Sequence, residues 1–166
     1  MTSEVVTAEM KALIGSEGEA RESNEQATWG EHRRFIQAIM DEDRIYYDEE
    51  YAKNTRYGGI VMAPLFPGSL NRRLMGTPDP ISEGFRRNPE YDGIGGGGEG
   101  GRGGLPRIDL PNMPRTLNGG NEIEFFQYLK LGEKTVSKPK LADIYEREGR
   151  SGRMVFIITE SEVRNE

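Results

Sequence analysis

The sequence contains no cysteine and only one histidine, His32. Without cysteine the chain forms no disulfide, no thiolate metal site and no cysteine nucleophile. Chemistry that depends on an imidazole is therefore either at His32 or absent. A cysteine-free composition is compatible with a reducing compartment, and we expect the protein in the cytoplasm.

The chain also lacks long apolar runs and an excess of positive charge. No stretch is long and apolar enough to cross a bilayer, and no basic segment followed by an apolar one opens the sequence, so we expect neither a membrane span nor a secretory signal. The formal net charge is -6 and the pI is about 5.1, which argues against a general nucleic-acid-binding surface. The 166 residues fit a single domain, 1–166.

The first third of the chain is typical of short helices. Residues 7–14 fit a helix that Gly15 ends. Thr28 and Glu31 have the spacing of a capping box, which predicts a second helix that ends before the acidic run 41–43. Its apolar face is predicted to consist of Phe35, Ile36, Ile39 and Met40.

Two further helices are predicted before the chain changes character. Residues 49–54 fit a short helix, and 64–74 fit a mostly buried one that begins at Pro64. The side chains expected to point inward are Leu65, Phe66, Leu70 and Leu74. Residues 76–120 are rich in glycine and proline, which predicts a long flexible insertion.

The last third is strand-like. Three apolar-rich runs cover 122–129, 135–145 and 154–163. A hairpin turn is predicted at 148–152, and Pro139 indicates an edge or a bulge. The run 154–159 is predicted to be the most buried strand. Helices followed by a meander of strands predict an α+β fold.

Three segments carry a family resemblance: 7–18, 33–64 and 121–159. The middle segment, which ends with RYGGIVMAP at 56–64, is the more specific part, and the strand segments alone are weak evidence. Together the segments resemble the N-terminal, FAS1-like dehydratase domain of the MaoC-like dehydratases, the family of the (R)-specific enoyl-CoA hydratases. The resemblance covers most of the chain outside the insertion.

The resemblance implies a hot-dog fold, in which an antiparallel sheet wraps around a central helix, here near 64–74. Such domains pair, and catalytic members add water to an enoyl-CoA thioester, or remove it, without a cofactor. They use an Asp and a His in a Gly-Asp-x-Asn-Pro-x-His stretch. A backbone amide at the start of the central helix binds the thioester oxygen, because a helix N-terminus offers free N–H groups. The substrate-binding residues implied here are Gly59, Ala63, Pro64, Arg72 and Arg73.

The catalytic motif is broken in this sequence. Asp41 takes the position of the catalytic Asp, and Tyr46 falls where the His should be. A phenol with a pKa near 10 is a poor general base at neutral pH, so we interpret the pair as vestigial. His32 lies nine residues before Asp41, on the opposite face of a continued helix, and is predicted to be a polar-face residue near the helix start.

These observations predict a non-catalytic, acyl-CoA-binding subunit of a heteromeric enoyl-CoA hydratase. The expected partner is a second hot-dog subunit with an intact Asp-x4-His motif, or a second copy of this chain. Two alternatives stay open: a hydratase active on its own with Asp41 and Tyr46 in altered roles, and a scaffolding module without hydratase chemistry. The acyl group, whether fatty, aromatic or steroid, is not specified by the sequence.

Other motifs have simpler interpretations. The glycine run at 95–100 matches a dinucleotide fingerprint only trivially, because no strand precedes it. The arginine pairs at 72–73 and 86–87 have the chemistry to contact CoA phosphates, although a solvated loop is the favoured interpretation. The acidic group at 41–48 does not fit a calcium loop, and no metal is expected. The strand near 155–163 is usually followed by another in this fold, so we expect a partner to cover the open edge, or the chain to be truncated.

Overall fold

The computed structural model describes residues 4–91, 102–110, 113, 116–150 and 152–165. The helices are α1 (Ala8–Ala12), α2 (Trp29–Ile39), α3 (Glu49–Lys53) and α4 (Pro80–Arg87), with 3₁₀ helices at Arg44–Tyr46, Phe66–Asn71 and Arg102–Gly104. The strands are β1 (Arg21–Glu22), β2 (Thr135–Gly149) and β3 (Gly152–Asn165). None of the described helices is both long and apolar enough to cross a membrane.

The chain divides into two compact units. We call residues 21–75, 122–137 and 163–166 the helical unit, and residues 1–20, 76–121 and 138–162 the hairpin unit. The residues of the predicted site all lie in the helical unit.

Helix α2 begins and ends as its sequence predicts. The Thr28 hydroxyl accepts a hydrogen bond from the Glu31 N–H at 3.4 Å, which caps the N-terminus. At the other end Met40 is left-handed, with φ 56°, and the Asp41 N–H donates to the Ile36 carbonyl at 3.0 Å. The apolar face is narrower than predicted, because Ile39 and Met40 are exposed while Ile36 is buried.

The core of the helical unit surrounds the 3₁₀ helix Phe66–Asn71. Phe66 and Leu70 are buried on it, as predicted. The other buried members of this core are Ala27, Ile36, Ile45, Tyr46, Val61, Met62, Ala63 and Leu129. The core therefore encloses the residues Val61, Met62 and Ala63 of the RYGGIVMAP stretch.

The predicted helix at 64–74 is wrong in both length and type. Only Phe66–Asn71 is helical, and Leu65 and Leu74 are 60% and 49% exposed. Pro67 and Gly68 are poor formers of a helix interior. The Ser69 hydroxyl donates to the Phe66 carbonyl at 2.7 Å and competes for a helical acceptor.

The strands form one antiparallel sheet in the order β1-β2-β3. In the pair of β1 with β2, Arg21 lies opposite Ser137 and Glu22 opposite Val136. The predicted strands at 135–145 and 154–163, and the turn between them, are confirmed, and the strands are longer than predicted. Predicted strand 122–129 is wrong: it contributes one backbone hydrogen bond, from the Met62 N–H to the Leu129 carbonyl at 2.8 Å.

Strand β3 is much more exposed than its composition suggests. Ile157 is 44% exposed, Ile158 40% and Val163 54%, so the prediction of a most buried strand is wrong. An apolar run identifies a strand but does not say whether this chain or another molecule covers it. In β2, by contrast, Thr135, Leu141 and Ile144 are buried.

The hairpin unit contains helix α1 and much of the predicted insertion. The Thr7 hydroxyl caps α1 by accepting from the Met10 N–H at 3.2 Å, which confirms a helix at this place. Within 76–120 the structure forms the eight-residue helix α4 and buries Leu105, so this stretch is not irregular throughout. The glycine run at 95–101 lies outside the described residues.

Candidate functional site

The loop that aligns with the catalytic motif is held by its own carboxylates. Asp41 Oδ1 accepts from the Asp43 N–H at 3.2 Å, and Asp43 Oδ1 accepts from the Ile45 N–H at 3.1 Å. The second bond caps the 3₁₀ helix Arg44–Tyr46, which turns Ile45 and Tyr46 into the core. Short acidic side chains are favoured at such positions because they satisfy the first free N–H groups.

Tyr46 is buried, and it is neutral across the physiological range. Loss of solvent raises the pKa of its phenol to about 12, and the negative charge of Asp41 is the next largest contribution. Asp41 and Tyr46 are therefore close enough for the charge of one to raise the pKa of the other. A neutral phenol donates a hydrogen bond but does not take a proton from water.

Two further tyrosines adjoin Tyr46. The rings of Tyr57 and Tyr128 are 5.2 Å apart, and Arg56 Nη2 donates to the Tyr57 hydroxyl at 2.7 Å. Burial, followed by a hydrogen bond with Tyr57, raises the pKa of Tyr128. Sequence reasoning missed this cluster, because Tyr128 comes from a run interpreted only as a strand.

His32 is fully buried, which corrects its interpretation as a polar-face residue. Its Nε2 accepts a hydrogen bond from the Ala63 N–H at 2.9 Å. The imidazole also makes edge contacts with Phe66, at 5.1 Å between ring centroids, and with Tyr46, at 5.7 Å. The periodicity of one helix does not reveal a partner 31 residues further along the chain.

The five residues implied to bind substrate differ in exposure and in their contacts. Ala63 is buried, and its N–H is already used by His32. Arg72 and Arg73 are exposed, and Arg72 lies 3.4 Å from a carboxylate oxygen of Glu31. Pro64 is half-buried at the surface of the core.

Gly59, the remaining member of that set, lines an open cleft of about 570 Å³. The other lining residues are Trp29, Tyr47, Glu49, Lys53, Ile60 and Leu131. A Cβ added at Gly59 would meet no atom within 4 Å, so this glycine leaves the wall of the cleft open. Lys53 and Glu49 pair at 3.5 Å, whereas the remaining wall is mostly aromatic and aliphatic. This is the chemistry of a site for a largely apolar group.

Asp48, whose neighbours Tyr47 and Glu49 line this cleft, caps helix α3. Asp48 Oδ1 accepts from the Tyr51 N–H at 3.0 Å, and Arg44 Nη2 lies 2.6 Å from Asp48 Oδ2. Both contacts lower the pKa of Asp48, with the backbone bond contributing most. Among the described residues, no three His, Cys, Asp or Glu side chains converge as metal ligands would.

Comparisons with known proteins agree with the family resemblance. The family model described as FAS1-like, dehydratase domain region matches residues 12–166. A chain of the ChsH1-ChsH2 complex from Mycobacterium tuberculosis is similar with a TM-score of 0.65 and 17% identity, covering 95% of this chain and 83% of that one. A MaoC-like dehydratase from Rhodospirillum rubrum is similar with a TM-score of 0.52 and 13% identity, covering 92% and 81%. No curated protein sequence matches the chain.

At these identities the structural neighbours show the fold, whereas the sequence model spans nearly the whole chain and shows the family. The matched residues include the loop 41–46 with its carboxylate caps, and the 3₁₀ helix Phe66–Asn71 at the centre of the helical core. The chain is therefore a member of the FAS1-like dehydratase family, with the hot-dog fold of the MaoC-like dehydratases.

Proposed function

We propose that this chain is a non-catalytic, acyl-CoA-binding subunit of a heteromeric enoyl-CoA hydratase. The observation that carries the proposal is Tyr46. The family resemblance aligns it with the catalytic His, it is buried, and its pKa is raised to about 12. Addition of water to an enoyl thioester needs a group that accepts a proton near neutral pH, and a phenol with that pKa is not such a group.

The Ala63 amide gives independent support. The family resemblance implies that an amide at this point of the fold polarises the thioester carbonyl. Here the Ala63 N–H donates to His32 Nε2 at 2.9 Å. At the two described positions that the resemblance assigns, 46 and 63, there is thus neither a histidine base nor a free amide donor.

The cleft beside Gly59 supports the binding role. Its volume of about 570 Å³ lies in the range of small-molecule sites, roughly 300–1,000 Å³. Trp29 and Tyr47 are 39% and 48% exposed, so their rings are available to an apolar ligand. The likeness to a chain of the ChsH1-ChsH2 complex fits a hot-dog partner, and the proposal requires that this partner carry the complete Asp-x4-His motif. The absence of cysteine suits the reducing cytoplasm we expect for such a complex.

The test is reconstitution of the hydratase. The chain is purified alone and together with a candidate hot-dog partner, and loss of the enoyl-thioester absorbance is followed. We expect activity only from the pair, unaffected by Asp41→Ala or Tyr46→Phe in this chain and abolished when the His of the partner's motif is replaced. A catalytic acid or base contributes about 100-fold to 10,000-fold, so its loss is readily separated from no change. Tyr51→Phe serves as the exposed control.

A second candidate is a hydratase that acts alone. The observation in its favour is the Asp41 charge beside Tyr46, in a cluster with the Tyr57 and Tyr128 phenols, since phenols can donate to a developing oxyanion. Activity of the isolated chain that disappears in Asp41→Ala would establish this candidate and reject the first. A chain that binds no acyl-CoA with or without a partner would leave only a scaffolding role.

A further inference from the structure

His32 is a polar residue in the apolar core, and packing alone does not require its imidazole. Its side chain is fully buried, and Nε2 accepts from the Ala63 N–H at 2.9 Å. Because Nε2 is an acceptor, the proton of the neutral imidazole must be on Nδ1. Nδ1 has no hydrogen-bond partner among the described residues, and an unpaired buried donor costs free energy.

An apolar side chain would fill this space without an unpaired donor. It would not, however, accept a hydrogen bond from the N–H of Ala63, which is buried beside the buried Met62. The hydrogen-bond acceptor is what the imidazole supplies here and an apolar side chain does not. The cost at Nδ1 is thus offset by pairing of a buried backbone N–H.

The surroundings of His32 favour its neutral form. Its ring neighbours are Trp29 on α2, Tyr46 on the first 3₁₀ helix and Phe66 on the second. Of these three neighbours only Tyr46 has a titratable side chain, and its raised pKa keeps the phenol uncharged at neutral pH. Burial lowers the pKa of His32, and no charged neighbour contributes to that shift. The acceptor is therefore present at neutral pH.

We propose that His32 is a positioning residue that holds the Ala63 amide inside the core and thereby withholds it from an acyl thioester bound to this chain. This role for the amide rests on the proposed function, whereas the hydrogen bond itself does not. The distinction matters for testing, because the bond is measured without any ligand or partner.

The first experiment uses the fact that His32 is the only histidine. Long-range proton–nitrogen NMR spectra of the native chain report which ring nitrogen is protonated. We expect Nδ1 protonated and Nε2 bare at neutral pH. We also expect the protection factor of the Ala63 amide, which corrects its exchange rate for the intrinsic pH dependence of amide exchange, to fall as the pH is lowered through the titration of His32. Protonation of Nε2 at neutral pH, or an Ala63 protection factor that ignores that titration, would overturn the proposal.

A pair of variants separates the acceptor from the volume. In His32→Gln the side-chain carbonyl can replace Nε2 as acceptor, whereas His32→Leu fills the space without one. We expect exchange of the Ala63 amide in His32→Leu to be about tenfold faster than in the native chain, which corresponds to about 1.4 kcal/mol, and to be restored by His32→Gln. Equal rates in all three proteins contradict the proposal. If His32→Leu does not fold, the pH titration of the native chain and the Ala63 exchange rate in His32→Gln still test the proposal.

The final arm adds butyryl-CoA, a saturated acyl thioester that does not react with water at a double bond. Trp29 is the only tryptophan and lines the cleft, so its indole N–H resonance reports binding. We expect the Trp29 signal to move while the Ala63 amide signal does not. A large shift at Ala63 refutes the withholding role. If neither signal moves, acyl-CoA binding fails, but the tautomer and exchange results still judge the His32–Ala63 bond.

Discussion

The family resemblance assigns chemistry to two places on this chain, the loop 41–46 and the segment 61–63 with the Ala63 amide, and the two differ in how far the sequence reveals them. In the loop, carboxylate caps hold the backbone, and Tyr46 stands where the resemblance expects a His. The Ala63 N–H is a backbone group, which every non-proline residue has, and it donates to His32. The tyrosine is visible in the sequence, whereas the hydrogen bond of the Ala63 amide is visible only in three dimensions.

The largest expected effect tests whether segment 61–63 is anchored in the core. Phe66→Ala removes a fully buried ring that packs against His32 and Phe35. We expect the free energy of unfolding, measured with urea, to fall by about 3–5 kcal/mol. Phe126→Ala, which removes a ring that is 88% exposed, should change it little. Similar small losses in both variants would show that the core does not hold this segment.

The pH dependence of stability isolates His32. Because burial lowers its pKa from 6.5, the unfolded chain binds the proton more tightly, and stability is complete above pH 6.5 and falls below it. The loss reaches at most about 1.4 kcal/mol per pH unit. The carboxylates with lowered pKa values, Glu17, Asp48 and Glu146, lose their contribution mainly below about pH 5, so the window between about 5 and 6.5 reports the imidazole. Urea unfolding of the native chain and His32→Gln should diverge in that window, and parallel curves would reject this origin.

A smaller effect tests the carboxylate caps of the loop. Asp43→Ala removes the acceptor of the Ile45 N–H, and we expect the chain to lose about 1 kcal/mol of stability. Glu42→Ala changes the net charge equally at an exposed neighbouring position and is the matched control. Thermal unfolding at one pH compares the two. Equal destabilisation would mean that charge, and not capping, matters in this loop.

The smallest effect has the opposite sign. Met40 adopts a left-handed conformation with φ 56° and is 84% exposed, so glycine should relieve backbone strain without loss of packing. We expect Met40→Gly to stabilise the chain by about 1 kcal/mol or less. Met40→Ala keeps the strain and should not stabilise it. A lower denaturation midpoint for the glycine variant would contradict this account.

Local signals in the sequence predicted the elements that depend on local physics. Thr28 and Glu31 predicted the start of α2, and the acidic run predicted its end. The turn between β2 and β3 follows from its glycines. The family motif identified Asp41 and Tyr46, whose electrostatic proximity the structure shows.

Two of the sequence predictions failed because of tertiary contacts, and a third failed because of local residues. His32 was misassigned because its partner, Ala63, comes from another segment. Residues 122–129 have strand-like composition, yet only Leu129 is buried and none of them joins the sheet. The helix at 64–74 fails because Pro67 and Ser69 favour a shorter 3₁₀ helix around the buried Phe66.

Strand β3 has a consequence for how the protein is made. Among the described strands it lies at the edge of the sheet, it is 14 residues long, and several of its apolar side chains are exposed. Such an edge offers unpaired backbone groups to another strand, whether from a different protein or from another copy of this chain in the wrong register. A pool of the isolated chain would therefore aggregate through this edge, and the yield of folded protein would depend on how soon after synthesis the edge is covered.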